Sequence, residues 1–306
     1  MNMQEEIKCG FLVTEERKHL NAVFLDLLQE FERLCDRAGL TWWMHYGGLI
    51  GAVRHQGFIP WDDDIDLIMP RRDFDRLLRM TNEKFGVNAP YFLQNPVTDP
   101  GCIQSLIRFR RSDTTSIRDY DWQRIRDTSE GAPYNMGISI AIFPLDSYPR
   151  SRPVQNLQRF CSDVFQCVVY RFNRPKNEKP VSWSIARAMV RVMGTRCFVG
   201  MRHWPYHWCR KGRSGQVQSL AGLYGKQVLI WPAEDWAETI RLPFEDITVP
   251  APAGYDRILR ISYGDYMDFP PPESRVEKHG GYERWDVPYT VSVEQLRRGE
   301  IAYPGQ

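Results

Sequence analysis

Four carboxylates fall within five positions of the stretch FIPWDDDIDLIMP, residues 58–70: Asp62, Asp63, Asp64 and Asp66. The chain then turns apolar through Leu67, Ile68 and Met69. Side chains alternate along an extended strand, so the spacing predicts Asp62, Asp64 and Asp66 on one face and Ile65, Leu67 and Met69 on the other. Asp63 then points away from its acidic neighbours. Carboxylates two positions apart on a strand lie about 6–7 Å from one another and repel. A hard divalent cation over the row relieves that repulsion. Magnesium suits the task, because it takes oxygen ligands and bridges one or two carboxylates to substrate phosphates. A solvated acidic strand end is the other reading of such a pattern. Trp61 and the run Ile65 to Met69 weigh against it, since they imply burial on at least one side.

The elements that must hold these acids are legible in outline. Thr14 is a candidate N-cap for a helix whose apolar stripe runs through Leu20, Phe24, Leu27, Leu28, Phe31 and Leu34 and stops at Gly39. Leu40 to Tyr46 reads as a strand, Gly47-Gly48 as a turn, and Leu49 to His55 as a short helix. A turn without Cβ atoms lets a phosphate approach the backbone, where a following helix N-terminus offers free N–H groups. Arg54, about two helical turns on, could pair with such a phosphate. Arg108 and Arg110, in SLIRFRR, share a strand face and could reach it too. Pro70 starts a helix that turns Phe74, Leu77 and Leu78 inward.

Charge is unevenly spread. From Arg150 to Arg213 there are fourteen Lys and Arg against two acids, a block of +12 that leaves −10 for the rest of a chain whose total is +2. Aromatic residues such as Phe160, Phe165, Trp204 and Trp208 interleave these charges. Helices laid on an anionic membrane have this composition, and so does a pair of amphipathic helices that covers a core with solvated arginine. No nucleic-acid-binding motif accompanies the charge. The seven cysteines are odd in number and form no C-x-x-C pair, which reads as reduced thiols. The first twenty residues have no apolar core of a signal peptide, and no run of about 18 apolar residues occurs. A cytoplasmic protein, peripheral at most to the inner membrane face, is the expectation.

Strand, Gly-Gly and then D-x-D on the next strand resembles the polymerase-beta-like nucleotidyltransferase arrangement. The longer stretch GGLIGAVRHQGFIPWDDDIDLIMPRRDFDRLL resembles the signature of the LicD/fukutin phosphotransferases. GISIAIFPLD (137–146), LYGK (223–226) and LPFEDITVPAPAGYDRILRISYGDYMDFPPPESR (242–275) resemble further elements of that family. The resemblance covers roughly residues 40 to 280. It implies an α+β fold: a nucleotidyltransferase core with a mixed sheet flanked by helices in 1–149, a basic helical insert in 150–215, and a C-terminal segment packed on the core in 216–306. It also implies magnesium (or manganese) dependence. The implied reaction moves a phosphorylated alcohol, phosphocholine-like or a phospho-polyol, from a CDP-activated donor to a hydroxyl of a cell-surface glycan or lipid-linked glycan such as lipopolysaccharide, teichoic acid or capsule. Asp64 and Asp66 carry over as metal ligands, with Asp62 as an auxiliary carboxylate in the catalytic set. Gly47 and Gly48 carry over as the phosphate-approach turn, and Lys226 as a further substrate contact.

One position departs from the family pattern. Where the family reads I-D-I-F-P-L-D, this chain reads I-A-I-F-P-L-D, with Ala141 in place of the third core carboxylate. That acid is the one expected to complete the metal site and to help deprotonate the acceptor hydroxyl. Asp146, five positions on and beyond a proline, cannot replace it in place. Three readings follow: a transferase in which another acid compensates, a non-catalytic donor-binding relative, and a metal-dependent glycosyltransferase, which also uses D-x-D.

Overall fold

The structure, a computed structural model, describes residues 3–83, 86–127, 131–173, 180–207, 214–219, 228–277 and 281–302. The chain opens with β1 (Glu6–Lys8), β2 (Phe11–Val13), α1 (Glu15–Ala38), β3 (Trp43–His45) and α2 (Tyr46–Ile50), and a π-helical turn over Gly51–His55 extends α2. Next come β4 (Asp66–Pro70), α3 (Arg71–Arg79), β5 (Tyr91–Gln94), β6 (Ile107–Arg111), β7 (Thr115–Arg118), α4 (Asp119–Asp127) and β8 (Ile138–Ser147). Three helices occupy the basic block: α5 (Arg152–Asn173), α6 (Pro180–Met193) and α7 (Thr195–His207). The remainder is β9 (Gln216–Gln218), β10 (Ile230–Pro232), β11 (Thr239–Phe244), β12 (Ile247–Pro252), α8 (Tyr255–Tyr263), β13 (Gly281–Arg284) and α9 (Tyr289–Arg298).

The architecture is mixed α/β. In the central sheet β8 lies parallel to β4, and β4 pairs antiparallel with β3. On its other side β8 pairs antiparallel with β6, and its far end with β9. The register sorts the residues of these strands onto two faces. Met44, Leu67, Ile142 and Ile107 stand opposite one another and join the core into which α1 packs Leu27, Leu28 and Phe31. The opposite face carries Trp43, Ile68 and Phe143, capped by Trp231, Trp236 and Ile258.

Helix α1 forms where the sequence asks for it. The Thr14 hydroxyl accepts the Arg17 N–H at 3.2 Å, and Gly39 ends the helix in the left-handed region at φ 59°. Its inward stripe is fully buried at Phe31, so Phe31→Ala is expected to cost about 3–5 kcal/mol. The β11–β12 hairpin buttresses the segment that leads into the acids. The Glu245 N–H bonds the Gln56 carbonyl at 2.7 Å, and the Glu245 carboxylate accepts the Phe58 N–H at 3.1 Å.

Candidate active site

Asp66 is the first residue of β4, and the acids before it lie outside the strand. This corrects the expectation of a strand beginning at Asp62. The reason is local: β3 ends at His45, opposite Asp66, because the chain turns into α2 at Tyr46. Upstream of Asp66 no ladder partner from β3 remains. The alternation beyond it is as expected, with Leu67 and Met69 in one core and Ile68 in the other. Without a strand at 62–64 the alternation fails there, and Asp63 does not point away. Asp62, Asp63 and Asp64 each offer a carboxylate oxygen within 4.8 Å of the others.

Gly47 and Gly48 are not a turn before a helix; both sit inside α2. Their small size is nevertheless required. A Cβ at Gly47 would collide with the Asp62 carboxylate, and one at Gly48 would fall 2.6 Å from the Met44 methyl. The first turn of α2 is thus pressed against the acidic loop, and glycine is what permits it. Tyr46, just before, adopts a positive φ of 44°, a strained conformation for a non-glycine residue.

Across the sheet, register places four residues in one row: His45 on β3, Asp66 on β4, Ala141 on β8 and Arg108 on β6. Burial, reinforced by Asp64 and then Asp62, pushes the Asp66 carboxyl well above the usual carboxylate range, with Arg108 opposing. Arg108 is held by Gln104 at 2.7 Å and by the Ser139 hydroxyl at 3.1 Å. Ala141 is buried between Asp66 and Arg108, and its N–H bonds the Ile65 carbonyl at 3.0 Å. The position where the third carboxylate was expected therefore does adjoin Asp66, and a methyl group stands there.

These residues fit a hard divalent cation. Several carboxylate oxygens converge, Asp66 holds its charge only against resistance, and the glycine at 47 leaves room for the approach of Asp62. When bound, such an ion supplies charge neutralisation and orientation to phosphate oxygens. The oxygens that converge are those of Asp62, Asp63 and Asp64, and Asp66 lies near enough to Asp64 and Asp62 to be raised by both.

The remaining sequence candidates divide. Arg54 donates to the carbonyls of Tyr266 at 2.6 Å and Asp268 at 2.9 Å, and its guanidinium lies 5.0 Å from the centre of the Phe269 ring. It ties the loop after α8 to the π-helical turn. Arg110 is buried and donates to Gln94 and to the Gly137 carbonyl. Lys226 lies outside the described residues. Asp146, as expected, takes no place beside Asp66; it accepts two hydrogen bonds from Arg71, at 2.6 and 2.7 Å.

Sequence reasoning missed three residues. The Tyr46 phenol is pushed up by burial and then by Asp66, and that of Tyr263, at the end of α8, by burial, then Tyr46, then Asp66, Asp62 and Asp64. Both phenols lie close enough to Asp66 to be raised by its charge. His45 is buried among Tyr46, Phe143, Trp231 and Trp236, with no hydrogen-bond partner at either ring nitrogen. Burial lowers its pKa to about 3, so the ring stays neutral. The positive φ at Tyr46 and the pairing that sets His45 beside Asp66 are invisible in a sequence, and Tyr263 is 197 residues from Asp66 along the chain.

An acidic cluster at the head of a parallel strand pair, with an arginine across the row, is suited to holding and neutralising phosphate oxygens. Residues 39–128 match the family model described as LicD/FKTN/FKRP, nucleotidyltransferase domain. That match includes Gly47, the four aspartates and Arg108 and ends before β8. The chain is 26% identical, over 84% of its length and 93% of the relative's, to the lipopolysaccharide cholinephosphotransferase LicD of Haemophilus influenzae. An uncharacterized protein of Rickettsia prowazekii is 40% identical over 26% of this chain and 31% of its own, and one of Rickettsia typhi 38% identical over 19% and 18%.

Proposed function

We propose that this chain transfers a phosphorylated alcohol from a CDP-activated donor to a glycan hydroxyl, with magnesium or manganese held at Asp64 and Asp66. The observation that carries this reading is the row Asp66, Ala141, Arg108 beside the Asp62–Asp64 cluster, within a chain similar over most of its length to a lipopolysaccharide cholinephosphotransferase. In the reaction the acceptor oxygen attacks the phosphorus that bears the alcohol. The phosphoanhydride bond breaks, CMP leaves, and the hydroxyl proton passes to a base. Phosphoryl transfer of this kind asks the protein mainly for positioning and for neutralising charge on oxygens in line. Arg108 is set to pair with a donor phosphate, Gly47 lets the acidic loop close on α2, and Asp62 or Asp64 receives the acceptor proton.

Ala141 supports a second reading, a relative that binds donor and transfers slowly. Its methyl group leaves the place beside Asp66 without a carboxylate, and Asp146 is committed to Arg71. A thermal-shift screen of CDP-alcohols with and without magnesium tests the binding common to both readings, and single-turnover transfer to a lipopolysaccharide acceptor separates them. Stabilisation by UDP-sugars in preference to every CDP-alcohol would overturn the donor assignment.

A further inference from the structure

The helices of the basic block bury one face each and expose the other. Val168 and Phe165 of α5, Val190 of α6, and Phe198 and Val199 of α7 meet around Ile103 in a core of their own. On α6 the opposite stripe carries Ile185, Ala188 and Val192, at i, i+3 and i+7, with Arg191 between them. Ile185 is 57% exposed and Val192 86%. A lone exposed aliphatic residue is ordinary; a stripe of them on one helix face is not. The segment Pro180–Met193 contains two arginines and no acid. On the two helices packed against it Phe160 is 65% and Trp204 49% exposed, with Arg159 and Arg196 exposed as well.

We propose that the outward stripe of α6 is an interfacial docking face for an anionic lipid bilayer. Charge complementarity selects this occupant, since the segment Arg150 to Arg213 carries a sequence charge of +12 and Arg159, Arg191 and Arg196 are exposed. A second copy of the chain would set positive against positive across the same face. Fourteen residues of helix rise about 21 Å, short of the roughly 30 Å of hydrocarbon, so α6 lies in the interface and does not cross it. No described helix is long and apolar enough to span a membrane. Aliphatic side chains on one face, an exposed arginine beside them and a tryptophan nearby are what the headgroup boundary accommodates.

The test is sedimentation of the full chain, without nucleotide or acceptor, with phosphatidylcholine vesicles and with mixed phosphatidylcholine–phosphatidylglycerol vesicles. Its outcome is therefore independent of the transfer reaction. The protein is expected to pellet with the anionic vesicles at low salt and to leave them as the screening length contracts from about 30 Å at 0.01 M to about 8 Å at 0.15 M. Ile185→Glu combined with Val192→Glu should weaken the association at least tenfold, and Arg191→Gln about fivefold, with melting temperatures unchanged because these side chains touch solvent. Ile185→Leu with Val192→Leu should bind as the parent does. Equal pelleting with neutral vesicles, none with anionic ones, or undiminished binding by the double glutamate variant overturns the proposal.

Discussion

The parallel pair β4–β8 carries buried carboxylates at both ends, and the two ends treat them oppositely. At the far end Asp146 accepts a two-point contact from Arg71, Arg71 also reaches Asp75 at 3.3 Å, and Asp75 meets the His207 ring at 3.0 Å. Each acid there has its cation inside the fold, and the cluster links β8, α3 and α7. At the near end Asp62, Asp64 and Asp66 lie close together, and burial, then Asp64, then Asp62 push the Asp66 carboxyl up, with Arg108 opposing. An ion cluster compensated within the fold is a structural device, whereas a carboxyl whose ionisation burial and neighbouring acids oppose suits a charge from outside. The same strands thus hold a fastening at one end and, on the proposed function, a site for a cation at the other.

The sharpest way to break this comparison is to remove one acid from each end. Asp66→Asn, and likewise Asp64→Asn, is expected to lower transfer on the order of 10³-fold or more, since several kcal/mol of charge stabilisation go with the metal site. The same change should raise the melting temperature of the metal-free protein, because it removes a group whose ionisation the folded state disfavours. Loss of magnesium-dependent stabilisation by CDP ligands is the accompanying readout. A metal-free Asp66→Asn protein less stable than the parent would mean the near end is structural after all.

Asp146→Ala should behave in the opposite way. It strands the buried Arg71 guanidinium, at a cost of about 3–5 kcal/mol, in denaturant unfolding with or without magnesium. Rescue by Arg71→Met in the double variant would identify the stranded charge as the cause. If Asp146→Ala unfolds no more easily than the parent, the far end is not a fastening.

Ala141→Asp sharpens the near end. Placed beside Asp66 in register, a carboxylate there supplies a base for the acceptor hydroxyl, worth about 10² in single-turnover rate at the low end of general-base catalysis. No gain on this substitution, combined with fast transfer by the parent, would show that Asp62 or Asp64 already does this work. The added charge should also destabilise the metal-free protein, which distinguishes a correctly placed acid from one that swings to solvent.

How much of the two ends a reader of the sequence can find differs for the same physical reason. Helix α1 was legible because its N-cap, stripe and glycine stop are all local. The acids were legible as a group because they are adjacent, yet their geometry was not, since it depends on where β3 stops and hence on a pairing the spacing does not reveal. In the sequence Gly47 reads as a place for a ligand's close approach, whereas the closest neighbour in the structure is the Asp62 side chain. The Arg71–Asp146 contact joins residues 75 apart and left no local trace. Arg54 looked like a phosphate ligand on its short helix, but the carbonyls it serves lie more than two hundred residues downstream.

The smallest expected effect concerns protons. Burial and two neighbouring carboxylates raise the Asp66 pKa in the folded, metal-free protein above its unfolded value. Between those two values the native state holds a proton that the unfolded chain has released, so the stability of the metal-free protein falls as pH rises through that window. A divalent cation needs the same carboxyl ionised and must displace the proton, so its affinity rises over the same interval, by up to about tenfold per pH unit for one proton released. Magnesium titrations by calorimetry in two buffers of different ionisation enthalpy count the protons released directly. Asp66→Asn should abolish the pH dependence of whatever metal binding remains, while Asp146→Asn should leave it intact. Metal affinity that stays level as pH rises, with no proton released in either buffer, would show that Asp66 is already ionised and that the near end is compensated as fully as the far one.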